Sequence, residues 1–158
     1  MDITSLSARY SVRRLTPDDA PVVYALCREN TLYYRYCPPF VTEQSIIADM
    51  AALPPRKTLD DKYFLGFFDG EKLIAVLDLI TAFPDEKTAF IGFFMTDVSV
   101  QHAGVGSGII RELCAALPPP VLRPSVWAGS KAIRRRKPSG IKTDLPKPVS
   151  PMTPIITR

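Results

Sequence analysis

An α/β (α+β) fold with a mainly antiparallel sheet flanked by helices is the class that the sequence predicts, and three observations point to it. The chain has 158 residues, of which 46% are hydrophobic and 23% charged, so it suits one packed domain. Strand-like and helix-like patterns follow one another in the order β-α-α-β-β-β-loop-α. The three consecutive strand patterns are joined by tight turns, which predicts an antiparallel meander.

The first half of this region predicts one strand and two helices. Alternating residues over Tyr10–Leu15 indicate a strand. A threonine, a proline and two acids then open the segment Thr16–Asn30, which is typical of a helix N-terminus. The aromatic, proline-terminated segment Leu32–Phe40 is interpreted as a loop. A second helix is predicted over Thr42–Leu53, with its threonine as the cap.

The second half predicts three strands, a glycine-rich loop and a helix. The strands are placed at Tyr63–Phe68, Leu73–Ile80 and Ala89–Val98. Asp69-Gly70 joins the first two as a hairpin turn. Gly92 lies inside the third strand and indicates a bulge. The helix is predicted over Ile109–Leu117.

The composition changes at about residue 118. Residues 1–117 contain 11 Lys and Arg against 15 Asp and Glu, whereas residues 118–158 contain 9 basic residues and one acid, Asp144. The second segment also holds 9 of the 16 prolines and a single aromatic residue, Trp127. We therefore expect a folded core over 1–117 and a proline-rich basic tail over 118–158 that is irregular and buries little.

Several classes of protein are excluded by the composition. No apolar run reaches the ~18 residues of a membrane span, and the N-terminus lacks the basic and then apolar layout of a signal peptide. Cys27, Cys37 and Cys114 are an odd number of cysteines without metal-ligand spacing, so no disulfide scaffold and no metal site is expected. This pattern is typical of a reducing, cytoplasmic setting. Cys27 and Cys114 fall on apolar helix faces, where we expect them to pack.

The glycine-rich loop carries most of the chemical information. Glycines at 104, 106 and 108 remove Cβ atoms that would keep a ligand from the backbone. The amides of residues 102–107 can then converge at the start of the helix, where a phosphate or pyrophosphate is favoured. No lysine follows the glycines, and Ile109 stands where a dinucleotide motif needs its third glycine, so neither nucleotide motif is present. The alternative is a helix that simply begins at a flexible glycine turn.

The sequence Gln101-x-x-Gly104-x-Gly106 resembles the Q/R-x-x-G-x-G/A loop of the GNAT superfamily of acetyl-CoA-dependent acetyltransferases. The preceding order of elements is similar to the first two-thirds of that fold, over about Tyr10–Leu117. The resemblance implies that the loop holds the pyrophosphate of acetyl-CoA, that the last strand pairs with the pantetheine arm, and that a strand amide polarises the thioester carbonyl. The residues implied to bind the cofactor are Phe94, Met95, Thr96, Gln101, His102, Ala103, Gly104, Val105, Gly106 and Ser107.

The reaction implied by the resemblance is the attack of a substrate amine on the acetyl carbonyl, which needs a base and an acid. The nearest carboxylates are Asp97, just past the last strand, and Asp78 in the strand before it. The alternative for both Asp97 and Asp78 is a surface or ion-paired residue without a catalytic role. His102 is the single histidine, and a loop-filling role is favoured for it. The family often uses a tyrosine on a later helix as the acid, but no tyrosine follows Tyr63.

An aromatic segment lies between the first two helices, where the family commonly shapes its acceptor pocket. Its tyrosines, Tyr33, Tyr34 and Tyr36, either line a substrate cleft or form a lid over the core. The resemblance implies an N-acetyltransferase that acts on a primary amine of a small molecule or peptide. The alternative is a coenzyme A-binding module, or a catalytically impaired homologue, without turnover.

The tail departs from the family, whose fold continues with β-α-β-β. One hypothesis is a changed reading frame between about Leu117 and Val121, because Trp127–Thr157, with permitted codon choices, can be re-read in a shifted frame as a peptide that resembles the missing family region. Sequencing the gene tests this hypothesis: a single insertion or deletion there must restore the family pattern.

The tail has a basic cluster, Ile133–Pro138, whose charge is of the kind that contacts nucleic acid or anionic membranes. It lacks interleaved aromatic residues, so we expect a solvated tail and no nucleic-acid partner. Without the last family elements, the strand Ala89–Val98 exposes apolar area worth ~25 cal/mol per Å². We therefore expect low stability, or a homodimer that covers this face.

Overall fold

A central sheet of five strands in sequential order organises the computed structural model, which describes residues 1–117 and the backbone of residues 123–124. The strands are β1 (Ser11–Arg14), β2 (Lys62–Asp69), β3 (Lys72–Ile80), β4 (Phe90–Thr96) and β5 (Arg123–Pro124). The first four strands are antiparallel to their neighbours, whereas β5 runs parallel to β4. The predicted fold class and its antiparallel meander are confirmed.

Two local features shape the meander. Asp69 pairs with Lys72, so the turn between β2 and β3 consists of Gly70 and Glu71, one residue later than predicted. Gly70 has φ +60°, a left-handed conformation that glycine adopts without strain. On β4 the predicted bulge is present at Gly92, which has no partner on β3 because the register shifts there.

Four helices cover the sheet: α1 (Ala20–Arg28), α2 (Thr31–Tyr36), α3 (Glu43–Ala51) and α4 (Val105–Ala116). Short 3-10 turns lie at Thr4–Leu6, Pro17–Asp19, Leu59–Asp61 and Val98–Val100. The predicted cap of α3 is confirmed, because the side chain of Thr42 accepts a hydrogen bond from the N–H of Ser45 at 3.0 Å. No described helix has the length and apolar character that crossing a bilayer requires.

Each face of the sheet has its own hydrophobic core. The core on the α4 side includes Leu65, Phe67, Leu77, Leu79, Ile109 and Leu113. The core on the α1 and α3 side includes Leu26, Ile46, Phe64, Val76 and Met95. Alternate residues of each strand serve opposite cores, and each fully buried side chain stabilises the fold by about 1.5–3 kcal/mol. The two cores fix the sheet against helices on both sides.

Three predictions about the helices and cysteines were wrong. Residues 31–36 form α2 rather than a loop, because tyrosines of this segment pack on the core and stabilise a helix that its own sequence does not favour. The last helix begins at Val105 rather than Ile109, because Gly104 ends the turn in a left-handed conformation. Cys114 is exposed, since it lies about 100° around α4 from the buried Leu113.

The predictions for the tail at 118–158 fall almost entirely outside the described residues. The exception is β5, in which Arg123 and Pro124 pair with Phe90 and Ile91 of β4. These two residues pair with peptide groups at the outer edge of β4, and the irregular tail stays a prediction.

Candidate active site

The glycine loop ends at Gly104, the N-cap of α4. Its φ of +79° lies in the left-handed region that favours glycine. The N–H of Gly108 donates to the carbonyl of Gly104 at 2.9 Å, which is the first hydrogen bond of the helix. The N–H groups of Val105, Gly106 and Ser107 precede it and have no acceptor within the described residues. Three free donors at the positive end of a 12-residue helix create a favourable place for an anion.

The start of α4 lies against the end of β4. A Cβ atom at Gly106 would be 3.4 Å from side-chain atoms of both Phe94 and Thr96. The absence of a side chain at this position lets the helix approach the strand closely. The free amides therefore lie beside the end of β4.

A shallow cleft of about 120 Å³ opens beside the same helix start. Its lining includes Arg9, Tyr10, Gly104 and Glu112. The guanidinium of Arg9 stacks over the ring of Tyr10, 5.0 Å from its centroid, and places a positive charge on the wall. Glu112, which accepts a hydrogen bond from the Ser7 hydroxyl at 2.7 Å, places a carboxylate on the same wall. The volume is below the ~300–1,000 Å³ of ordinary ligand pockets, so the cleft does not enclose a whole cofactor.

The outer edge of β4 presents free peptide groups. The N–H of Asp97 donates to the carbonyl of Ile74, at the start of β3, at 2.8 Å. Because alternate peptide groups of a strand point to opposite edges, the N–H and C=O of Met95 also face β3, whereas those of Phe94 and Thr96 face outward. β5 pairs with β4 only at its first two residues, and no other described strand covers this edge. Of the three residues predicted here, Met95 is thus turned to the sheet interior.

The outward carbonyl of Thr96 already has partners. It accepts hydrogen bonds from Nδ2 of Asn30 at 3.2 Å and from Nε2 of Gln101 at 3.3 Å. The same Gln101 nitrogen donates to Oδ1 of Asn30 at 2.7 Å. Among the described residues, the outward peptide groups that have no partner are therefore the N–H and C=O of Phe94 and the N–H of Thr96.

Asp78 lies at the bulge, opposite Phe93 of β4. Its Oδ2 accepts a hydrogen bond from the ammonium group of Lys62 at 2.9 Å, and this lysine side chain is only 3% exposed. Lys62 also donates to the carbonyl of Ala52 at 2.9 Å. Burial raises the pKa of Asp78, while the hydrogen bond and charge of Lys62 oppose that rise. Its Oδ1 is buried and has no hydrogen-bond partner among the described residues.

Asp97 has a different environment. Its Oδ1 accepts hydrogen bonds from the N–H of Ser99 at 2.8 Å and from the Ser99 hydroxyl, and it pairs with the ammonium group of Lys72 at 3.3 Å. Partial burial tends to raise the pKa of Asp97, but the contacts with Ser99 and Lys72 outweigh it and lower the pKa. These contacts hold Asp97 as the cap of the turn that follows β4.

Two of the three candidate tyrosines on α2 pack inward. The rings of Tyr33 and Tyr34 meet edge to face at 4.9 Å, and both contact the core on the α1 and α3 side. Tyr33 also meets the ring of Phe93 at 6.0 Å, which is the residue opposite Asp78. Tyr36 is 69% exposed. Tyr33 and Tyr34 therefore pack on this core, and Tyr33 reaches the bulge of β4; that the tyrosines line a substrate cleft stays a prediction.

Several solved structures with a similar fold are acetyltransferases. An acetyltransferase from Thermus thermophilus matches with a TM-score of 0.57 and 18% identity, over 68% of this chain and 69% of that chain. A ribosomal-protein alpha-N-acetyltransferase, RimL, in complex with coenzyme A matches with a TM-score of 0.53 and 18% identity, over 72% of this chain and 66% of that one. This chain has the GNAT acetyltransferase fold.

The likeness to the GNAT fold is structural rather than a close sequence relationship. A protein described as a possible acetyltransferase from Clostridium difficile 630 matches over 86% of this chain at 11% identity, with a TM-score of 0.52. No family profile matches the chain, and no curated protein matches its sequence. The chain spans about two thirds of the length of the Thermus and RimL structures.

Within the GNAT fold, two polar residues were missed by the sequence analysis. Asn30 was predicted only as the end of a helix, and Lys62 only as the boundary of a linker. In the structure the half-buried Asn30 bonds to Thr96 and Gln101, and the buried Lys62 bonds to Asp78. The sequence did contain a signal for Lys62. It lies two residues before Phe64 and so on the same face of the strand, which predicts a charged side chain in the core. His102 and Ala103 are exposed in the turn before Gly104, and His102 has φ +61°. The described residues contain no group of three or more His, Cys, Asp or Glu able to hold a metal ion.

Proposed function

We propose that this protein is an N-acetyltransferase that transfers the acetyl group of acetyl-CoA to a primary amine of a small molecule or peptide. The observation that carries the proposal is the close approach of two unpartnered backbone surfaces. The free N–H groups at the start of α4 lie beside the end of β4, where a Cβ atom on Gly106 would be 3.4 Å from side-chain atoms of Phe94 and Thr96. A diphosphate and the amide-containing arm joined to it need these two surfaces in this order.

The residues fit the cofactor in the following way. The N–H groups of Val105, Gly106 and Ser107 bind the pyrophosphate, and Arg9 adds positive charge beside them. The outward N–H and C=O of Phe94 pair with the pantetheine arm as an added strand would. Acetyl-CoA supplies an activated acetyl thioester when bound. His102 and Ala103 contribute only through their backbone.

Asp78 is proposed as the group that accepts the proton of the attacking amine. It is better suited than Asp97, since Oδ1 of Asp78 has no partner in the described residues, whereas Asp97 is held by Ser99 and Lys72. A pKa raised by burial makes Asp78 a stronger base than an ordinary aspartate. Lys62 keeps the carboxylate oriented through Oδ2. Tyr33, which reaches Phe93 beside it, is proposed to line the acceptor side of this site.

The second candidate function is a coenzyme A-binding module without turnover. It is favoured by the lack of any tyrosine after Tyr63, because no such side chain is then available to protonate the leaving thiolate. Both candidates require the same cofactor surface, so binding alone does not separate them.

A two-part experiment tests the proposal. Coenzyme A at about 100 times its Kd should raise the free energy of unfolding by about 2.7 kcal/mol. ADP lacks the pantetheine arm, so at the same concentration it should raise the free energy of unfolding less. Release of free thiol from acetyl-CoA is then measured with a panel of primary amines. Stabilisation without thiol release favours the binding module, and no stabilisation by coenzyme A rejects both candidates.

We also propose that the edge of β4 beyond its pairing with β5, which no other described strand covers, leads to self-association. The N–H and C=O of Phe94 and the N–H of Thr96 can pair with a second copy, which accords with the expected homodimer. Sedimentation velocity over a range of concentrations should show a dimer that coenzyme A dissociates, since both occupy one edge. A monomer at every concentration contradicts this. A cytoplasmic location is likewise proposed, from the three free cysteines.

A further inference from the structure

A cluster of side-chain amides joins the cofactor loop to α2, although their residues are far apart in the sequence. Nε2 of Gln101 donates to Oδ1 of Asn30 at 2.7 Å. Nδ2 of Asn30 donates to the carbonyls of Leu26 in α1, at 3.1 Å, and of Thr96 in β4, at 3.2 Å. Both amides are half-buried. Each hydrogen-bonding atom of the Asn30 side chain therefore has a partner, and Gln101 closes the network.

Gln101 thus has an orientation that its position in the loop does not suggest. It is the first residue of the segment proposed to hold the pyrophosphate, yet its side chain is directed to the junction of α1 and α2. Its second contact, to the carbonyl of Thr96 at 3.3 Å, holds it at the end of β4. Any change in the position of the loop backbone therefore acts on Asn30.

Asn30 also stands at the start of α2, where its carbonyl accepts a hydrogen bond from the N–H of Tyr33 at 3.0 Å. It occupies the N-cap position, but its side chain makes no capping hydrogen bond to that helix. α2 has only six residues, none of them buried, and so short a helix does not persist without tertiary contacts. The contacts that hold it include the ring contact of Tyr33 with Phe93, the packing of Tyr34 on the core and against the ring of Phe40, and the attachment of Asn30 to β4.

We infer that Asn30 and Gln101 are positioning residues that couple the cofactor loop to α2, so that a ligand held by residues 101–107 also orders the acceptor-side helix. The inference rests on the proposed function for the meaning of the two sites. Because the hydrogen bonds are shared, immobilising Gln101 reduces the freedom of Asn30 and of the helix that follows it. Coenzyme A binding should therefore increase affinity for the amine, and the amine should increase affinity for coenzyme A by the same factor.

Hydrogen exchange tests the coupling without requiring turnover. In the wild type, coenzyme A should slow amide exchange at residues 31–36 as well as in the loop. Gln101→Met keeps the side-chain length and removes both hydrogen bonds, so exchange at 31–36 should be about three- to tenfold faster without ligand and no longer respond to coenzyme A. Gln44→Met is the matched control, because Gln44 is exposed on α3 and makes no side-chain hydrogen bond in the described residues.

Steady-state kinetics gives the second measurement. Asn30→Ala and Gln101→Met should each raise the KM for the amine by about three- to tenfold, with a smaller change in kcat. The double variant should raise the KM for the amine by less than the product of the two single increases, since both substitutions remove the same hydrogen bond.

The outcomes separate the two proposals. Unchanged exchange at 31–36 in Gln101→Met, or the same increase in Gln44→Met, overturns the coupling even when acetyl transfer is observed. A lowered melting temperature with an unchanged amine KM also overturns it and leaves a purely structural role. If coenzyme A does not bind at all, the proposed function fails, while the ligand-free exchange of Gln101→Met still decides whether the amides position α2.

Discussion

The carboxylate of Asp78 occupies the space that a side chain on Gly92 would fill. A Cβ atom at residue 92 would lie 2.8 Å from Oδ2 of Asp78, well inside van der Waals contact. That same oxygen is held by the buried ammonium group of Lys62, so it has little freedom to move aside. The bulge of β4 and the buried ion pair are therefore one structural unit.

Gly92→Ala should destabilise the protein by about 1–3 kcal/mol, because the added methyl group displaces Asp78 from Lys62. Urea unfolding measures the change. Gly108→Ala is the control: its Cβ would meet nothing within 4 Å and it lies inside α4, so alanine should leave stability unchanged or raise it by up to about 1 kcal/mol. Equal effects of the two substitutions would contradict the steric argument.

Asp78→Asn should lower kcat by about 10²–10⁴-fold. The asparagine oxygen can still accept the hydrogen bond from Lys62, but the buried ammonium group loses its counter-charge, so activity is measured well below the lowered melting temperature of the variant. The pH profile of kcat/KM shows whether Asp78 acts as the base. A base works when deprotonated, so wild-type activity falls as pH drops through the pKa of Asp78, which burial places above the ordinary ~3.9. Asp97→Asn is the comparison and should retain this acid limb. An unchanged limb in Asp78→Asn would exclude Asp78 as the base.

Lys62→Met should destabilise the protein by about 3–5 kcal/mol at neutral pH, because it leaves the buried Asp78 carboxylate without its partner. The loss of stability caused by Lys62→Met should become smaller near pH ~4. There Asp78, whose pKa is raised by burial and no longer opposed by Lys62, becomes protonated and carries no charge. Lys72→Met breaks the exposed pair with Asp97 and should cost at most about 1 kcal/mol. Unfolding at both pH values checks the difference; a loss independent of pH would rule out the charge argument.

Gly104→Ala should weaken coenzyme A binding by about tenfold. An alanine at φ +79° is strained by about 1–2 kcal/mol, and the backbone relieves that strain by turning the free N–H groups of α4 away from their common direction. Isothermal titration with coenzyme A measures the affinity. Ala103→Gly serves as the control, because it removes a side chain from the same exposed turn without adding strain. Retained affinity in Gly104→Ala would mean that the loop does not bind the pyrophosphate.

Much of the fold was predictable because it depends on local patterns. The cap at Thr42, the hairpin near Gly70 and the bulge at Gly92 each rest on the conformational preferences of a few adjacent residues, and all three are present. The helix over residues 31–36 was missed for the opposite reason. Its stability comes from ring contacts of Tyr33 and Tyr34 with groups distant in the sequence.

The candidate site divides along the same line. The amino-acid sequence alone predicted the glycine loop between a strand and a helix. Both the freedom of glycine at positive φ and the free amides at a helix start are properties of the local backbone. The partners of Asp78, Asn30 and Gln101 were not accessible in that way. Lys62 reaches Asp78 across a strand pair and Gln101 reaches Asn30 between separate elements, and such contacts exist only once the sheet has brought the segments together.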